Sequence, residues 1–171
     1  QYPPTLIPRQ PTLANLVEIF SNSKVFGVRP FLNSLVVALG TAALTVVVSF
    51  LAGYGFSRYR FPGHDLLLVA MLFINLLPLL ATIVPLFRIF TLYGLYDTYL
   101  GMILLHGLRT APFTSWLMKG YIDTRPLELE ESALLDGCSS ATAMRRIIMP
   151  LASPGLAAVA VFGFHTAWND F

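Results

Sequence analysis

The chain has 171 residues, 56% of them apolar and only 12% charged, with a mean hydropathy of +0.68. A soluble domain carries about one-quarter charged residues, so this composition points to a bilayer as solvent. The net charge of +2, spread without a basic stripe, speaks against a nucleic-acid partner, and the single Cys138 excludes an internal disulfide framework and argues against a zinc site.

The chain opens on QYPPTLIPRQP, with neither an initiating methionine nor the pattern of a signal peptide, and closes inside the apolar run FHTAWNDF. Both ends read as cut, so the expectation is a piece of a longer protein. Prolines at 3, 4, 8 and 11 make residues 1–30 an extended lead-in.

A membrane-spanning helix needs about 20 mostly apolar residues at about 1.5 Å each. Phe31 to Phe56 meets this without a single charge. Leu66 to Phe90 carries only Arg88, Thr98 to Met118 includes His106 and Arg109, and a fourth apolar run starts at Pro154. Arg58 and Arg60 lie between the first and second segments, and Lys119, Arg125, Arg145 and Arg146 between the third and fourth. TLYGLYD, between the second and third, has no lysine or arginine. Short basic loops stay on the cytoplasmic side, which places residues 1–30 outside the cell despite Arg9, Lys24 and Arg29.

Within the first segment Ala38, Ala42, Ser49 and Gly53 form a stripe of small residues that admits close helix approach. In the second, Asn75, Pro78, Thr82 and Pro85 share one face of a continuous helix, the two prolines freeing the carbonyls of Ile74 and Ala81. Such a face needs protein or water beside it, as a kinked wall of a pathway or as a structural kink. His106 and Arg109, and likewise His165 and Asn169, stand one turn apart inside spans and are expected to face the bundle or water.

The stretch from Lys119 to Pro150 holds nine of the twenty charged residues and reads as helix, turn, helix. Pro126 suits a first helical position, and Glu128, Glu130 and Glu131 favour the positive end of the helix dipole. Gly137 can close that helix in the left-handed conformation, and Ser139 or Ser140 can cap the next. Ala141, Met144, Ile147 and Ile148 share a face of that second helix, Arg145 and Arg146 fall in its last turn, and Pro150 stops it. A compact knob rigidly joined to the following span is one reading; a solvated loop is the other.

Glu131-Ser132-Ala133, Gly137 six residues after Glu131, then Ile147 and Pro150, resemble the EAA motif of membrane subunits of binding-protein-dependent ABC importers. That motif reads EAA, three residues, G, nine residues, I, any residue, LP. Ser132 and Met149 are the departures, and every interval is kept. The segment NSLVVALGTAALTVVVSFLAGYGFSRYRFPG, together with LPLLATIVPLFRIFTLYGLYDTYLGMIL, PLELEESALLDG and the closing WNDF, is similar to the carbohydrate branch of that family, the maltose-type permeases.

The resemblance implies an all-α polytopic membrane bundle, four spans seen of six, with a permease domain at 31–171 and a cytoplasmic coupling loop at 119–150. It implies a multi-pass subunit of a prokaryotic inner membrane that forms a sugar translocation path and is not itself an enzyme. Glu131, Ser132, Ala133, Asp136, Gly137, Ile147 and Pro150 would be the coupling residues, and Asn75, Thr82, Arg109, His165 and Asn169 candidates for the path. No GxxxxGK loop occurs, so ATP and magnesium would bind to two partner ATPase subunits. A second permease subunit, forming a heterodimer, and an external solute-binding protein would complete the assembly. Two other classes stay open: an ion- or proton-coupled transporter or channel using His106, Arg109, His165 and Asp170, and a scaffold that binds a cytoplasmic partner without moving a solute.

Overall fold

The computed structural model describes residues 13, 17, 28–75 and 79–170, with side chains at all of these but 79–81. Most of the lead-in at 1–30 therefore lies outside the described residues, as do Pro78 and Phe171. Among the described residues the chain is all-helical: α1 (Val28–Arg58), α2 (His64–Ile74), α3 (Leu79–Leu92), α4 (Tyr99–Asp123), α5 (Glu128–Leu135), α6 (Ser140–Leu151) and α7 (Ser153–Asn169).

Helix α1, at 31 residues, is the one described helix that is by itself long and apolar enough to cross a bilayer. Helices α6 and α7 reach that standard only as a pair bent by 76°. Helix α4 has 25 residues, about 37 Å at the usual rise, but is less apolar because it carries the groups expected to face protein. The expected single span from Leu66 to Phe90 is instead two shorter helices. Asn75 closes α2 by donating to the carbonyl of Leu72, one residue short of the α-helical spacing. The chemistry is consistent with this, because a proline at 78 has no N–H to offer the carbonyl of Ile74, where α2 ends. The shared face expected for Asn75, Pro78, Thr82 and Pro85 required one unbroken helix. Asn75 belongs to the end of α2, Thr82 and Pro85 to α3, and Pro78 to the undescribed gap.

Helices α1, α4 and α7 make the body of the bundle, and small residues set their approach. Ala38, Ala42, Ser49 and Gly53 are all buried, as the stripe predicts. A Cβ placed on Gly53 would sit 2.9 Å from the backbone nitrogen of Lys119, and one on Gly163 would sit 3.0 Å from Thr45 Oγ1. These backbones are too close for a methyl group, which is how van der Waals packing holds helices together where hydrophobic exclusion does not. Across the same seam Ser49 meets Thr114 at 2.6 Å and Thr45 meets Thr110 at 3.2 Å. Thr114 spends its proton on the carbonyl of Thr110, so Ser49 is the donor in its pair.

Two apolar clusters bracket this seam. Val37, Ala38 and Ala167 pack near the start of α1 with Met102, Ile103, Phe164 and Trp168 around them. Phe50, Tyr54, Met118, Ile122, Ile148, Ala152 and Val159 pack near its end. The second cluster also takes in α6, because Ile148 enters the same core as three long helices.

Candidate coupling site and intramembrane cavity

The charged stretch folds as a helix–turn–helix. Helix α5 starts at Glu128 with Glu130 and Glu131 in its first turn, and the carbonyl of Leu127 accepts from the amides of both. Pro126 lies two residues before the first helical residue rather than at it, so it rigidifies the entry instead of opening the helix. Gly137 takes φ +86°, the left-handed conformation. Its N–H reaches the carbonyl of Leu134 at 3.0 Å while that of Cys138 reaches Ala133 at 3.0 Å, a paired closure that satisfies two carbonyls at the helix end. Ser139, not Ser140, then caps α6, accepting from the amide of Thr142 at 3.3 Å.

Helix α6 departs from expectation in three ways. Its middle, Met144–Ile148, is a π turn in which Met149 donates to the carbonyl of Met144, five residues back. Pro150 does not stop the helix, which runs to Leu151 and bends at Ala152. The wide turn lets the helix continue through Pro150, whose ring would crowd the carbonyl of Arg146 in a regular helix. The extra residue also rotates the buried face. Ala143 and Ile148 are buried and Met144 and Ile147 half-buried, while Ala141 is exposed.

The motif residues divide by burial. Ala133 is buried and Ile147 half-buried against the lower cluster, so these two build the knob. Glu131, Ser132, Asp136, Gly137 and Pro150 are exposed and face outward. Around them Leu127, Leu129, Leu134 and Leu135 are exposed as well, Leu135 at 89%. The exposed leucines and carboxylates of this short helix form a mixed apolar and acidic surface.

Beneath that surface lies a polar cluster that sequence reasoning missed. Glu130 is 5% exposed. Its carboxylate accepts from Tyr54 Oη at 2.8 Å and from Arg58 Nε, both on the last turns of α1. Arg58 also donates to the carbonyl of Arg125 at 3.3 Å, and the Arg125 guanidinium stacks 4.6 Å over the Tyr121 ring. Ser57 donates to Asp123 Oδ1 and Lys119 to Asp123 Oδ2, each at 2.6 Å. Burial raises the pKa of Asp123, but the bonds from Lys119 and Ser57 outweigh it and hold the carboxyl below the ordinary range. The one available signal was the spacing of Tyr54 and Arg58, four apart on the last turns of α1; nothing in the sequence joined them to Glu130.

At the opposite end of α1 a cavity of about 930 Å³ opens between α3, the 93–98 connection and the start of α4. Phe87, Phe90, Tyr96 and Tyr99 line it together with Asn33, Asp97, Arg109 and Asp170. Asp170 Oδ2 lies 3.4 Å from His106 Nδ1 and 3.6 Å from Arg109 Nη1, which ties the end of α7 to α4. Of the candidate path residues, Arg109 alone lines this cavity. His165 and Asn169 bond to each other on an exposed face, Asn75 is exposed at the end of α2, and Thr82 is half-buried on α3.

Packed apolar helices, a charged knob at one end and a cavity with polar groups at the other fit a helical membrane protein. The chain belongs to the family described as binding-protein-dependent transport system inner membrane component, whose model matches residues 45–171. It is 38% identical over 169 residues, 98% of its length, to the inner membrane ABC transporter permease protein YcjP of Escherichia coli strain K12. It is 35% identical over 165 residues to the trehalose transport system permease protein SugB of Mycobacterium tuberculosis, and 36% identical over 139 residues to the maltodextrin transport system permease protein MdxG of Bacillus subtilis. It covers 96% and 81% of its own length in these two matches. The chain spans 60% of the first two relatives' length and 50% of the third's.

Proposed function

We propose that this chain is the membrane-spanning permease subunit of an ATP-driven sugar importer and that α5 is the element through which partner ATPase subunits move it. The observation that carries this reading is the outward face of the knob, where Glu131, Ser132, Asp136 and Gly137 sit on a helix locked by a left-handed glycine. Names of relatives that transport trehalose and maltodextrin support a saccharide as the solute. The cavity suits one: aromatic faces stack on sugar rings, and Asn33, Arg109 and Asp170 supply donors and acceptors for hydroxyls.

In this mechanism two ATP-binding subunits hold α5 in surface grooves and bind the ATP and magnesium themselves. Their closure pushes the knob, and the shared core around Ile148 passes the push to the spans. A second permease subunit lines the other half of the path, and an external binding protein delivers the sugar. The test is co-purification of the full-length subunit with an ATP-binding subunit, followed by a screen of saccharides for stimulated hydrolysis. Capture of the ATPase with stimulation by a saccharide is the expected result. Capture without uptake by the reconstituted complex would point to a scaffold. The cluster of His106, Arg109 and Asp170 is the observation that favours an ion-coupled path, and uptake driven by an ion gradient without ATP would select it.

A further inference from the structure

Helix α5 has no direct covalent connection to α1. It is joined through residues 124–127 to α4 and through α6 to α7, so backbone alone delivers a push on the knob to those two helices. The side chains add a third route. Glu130 faces inward from the same short helix whose outer face carries the motif, and its two carboxylate oxygens are taken by Tyr54 and Arg58 from the end of α1. The Arg58 and Glu130 side chains are 10% and 7% exposed, and Arg58 reaches on to the carbonyl of Arg125 at the hinge between α4 and α5.

We propose that Glu130, with Tyr54 and Arg58, is a coupling clamp that transmits movement of α5 directly into α1, making it a positioning residue for the transport cycle; this rests on the importer reading above. Three features argue for a mechanical role. The pair is buried, where geometry is held and salt does not loosen it. It is multidentate, with hydrogen bonds from two residues one turn apart on α1, so α5 can neither slide along nor rotate about that helix without breaking one. It also lies at the head of the seam in which Ser49 bonds Thr114 and Gly53 rests on Met118, so a shift of α1's end is carried along the bundle axis.

An apolar replacement of a whole buried pair can hold a core as well, whereas removal of one partner strands the other's charge and destabilises, so a mechanical role is read only in complexes that do assemble. In those, a mechanical role predicts a phenotype that a stability role does not. The full-length permease, assembled with its ATPase subunits and binding protein, is compared as wild type, Glu130→Gln, Tyr54→Phe and the exchange Arg58→Glu/Glu130→Arg. Basal hydrolysis, saccharide-stimulated hydrolysis and uptake are each measured per assembled complex. Glu130→Gln is expected to leave basal hydrolysis intact and to cut uptake per ATP by about tenfold, the size of a coupled pair in a shared network. Tyr54→Phe removes one bond without stranding a charge and is expected to fold and to lose about threefold. The exchange is expected to recover most of the loss, because a tyrosine hydroxyl accepts from arginine as readily as it donates to a carboxylate. Unchanged uptake per ATP in Tyr54→Phe, or an exchange no better than Glu130→Gln, overturns the clamp and leaves the importer reading standing. A wild-type complex whose hydrolysis ignores every saccharide overturns both.

Discussion

Gly137 occupies φ +86°, and a Cβ there would meet nothing within 4 Å. Within the chain, the constraint on this position is therefore conformational and not internal packing. A branched residue forced into the left-handed region costs about 1–2 kcal/mol, whereas asparagine visits it readily. Gly137→Val is expected to lower the stability of the detergent-solubilised subunit by about that amount and to abolish saccharide-stimulated hydrolysis. Gly137→Asn should keep stability near wild type, and equal stability of the two variants in a thermal melt would refute the assignment. Asp123 offers a second test at this scale. Its folded-state pKa is depressed, so its contribution to stability is full above the ordinary carboxylate value and is lost as pH falls through the depressed one. Lys119→Met should flatten the acid limb of the stability profile, read as melting temperature against pH, because it removes one of the bonds that outweigh burial. An unchanged acid limb would mean that Lys119 does not govern that carboxyl.

Helices whose character depends on local chemistry were legible in the sequence. The small-residue stripe of α1, the closing glycine of α5 and a serine cap on α6 follow from what those residue types do with a backbone, wherever they sit. The π turn in α6 was not legible, because it is a compromise between Pro150 and the demand that Ile148 enter a core built by distant helices. The break after Ile74 was half legible: proline chemistry announced a distortion there, but not that α2 would end before it. Packing at the element scale is testable at Gly53, which rests against the α4 backbone. Gly53→Leu is expected to separate α1 from α4 at a cost of about 1–3 kcal/mol, measured as lost melting temperature and faster proteolysis of the solubilised chain. A leucine tolerated there without loss would contradict the close approach.

For the whole molecule, the pattern of charge marks where water or a partner is expected, and the motif marks a candidate contact surface. Neither could tell that Glu130 is buried while its neighbour Glu131 is exposed, since that depends on α1 arriving beside α5 from more than seventy residues away. The same holds for Asp170, which meets His106 and Arg109 only because α7 runs antiparallel to its neighbours' order in the chain and ends beside the start of α4. The described residues form a bundle with a helix–turn–helix knob at one end and an aromatic cavity at the other, joined by a closely packed seam. On the importer reading, such a body carries displacement of the knob to the spans. The most direct test places the full-length permease, its ATPase subunits and its binding protein in proteoliposomes and follows labelled saccharide with ATP inside, without ATP, and with only an ion gradient. Uptake that requires ATP and disappears in Gly137→Val is the predicted result; uptake driven by the gradient alone, indifferent to that substitution, would contradict it.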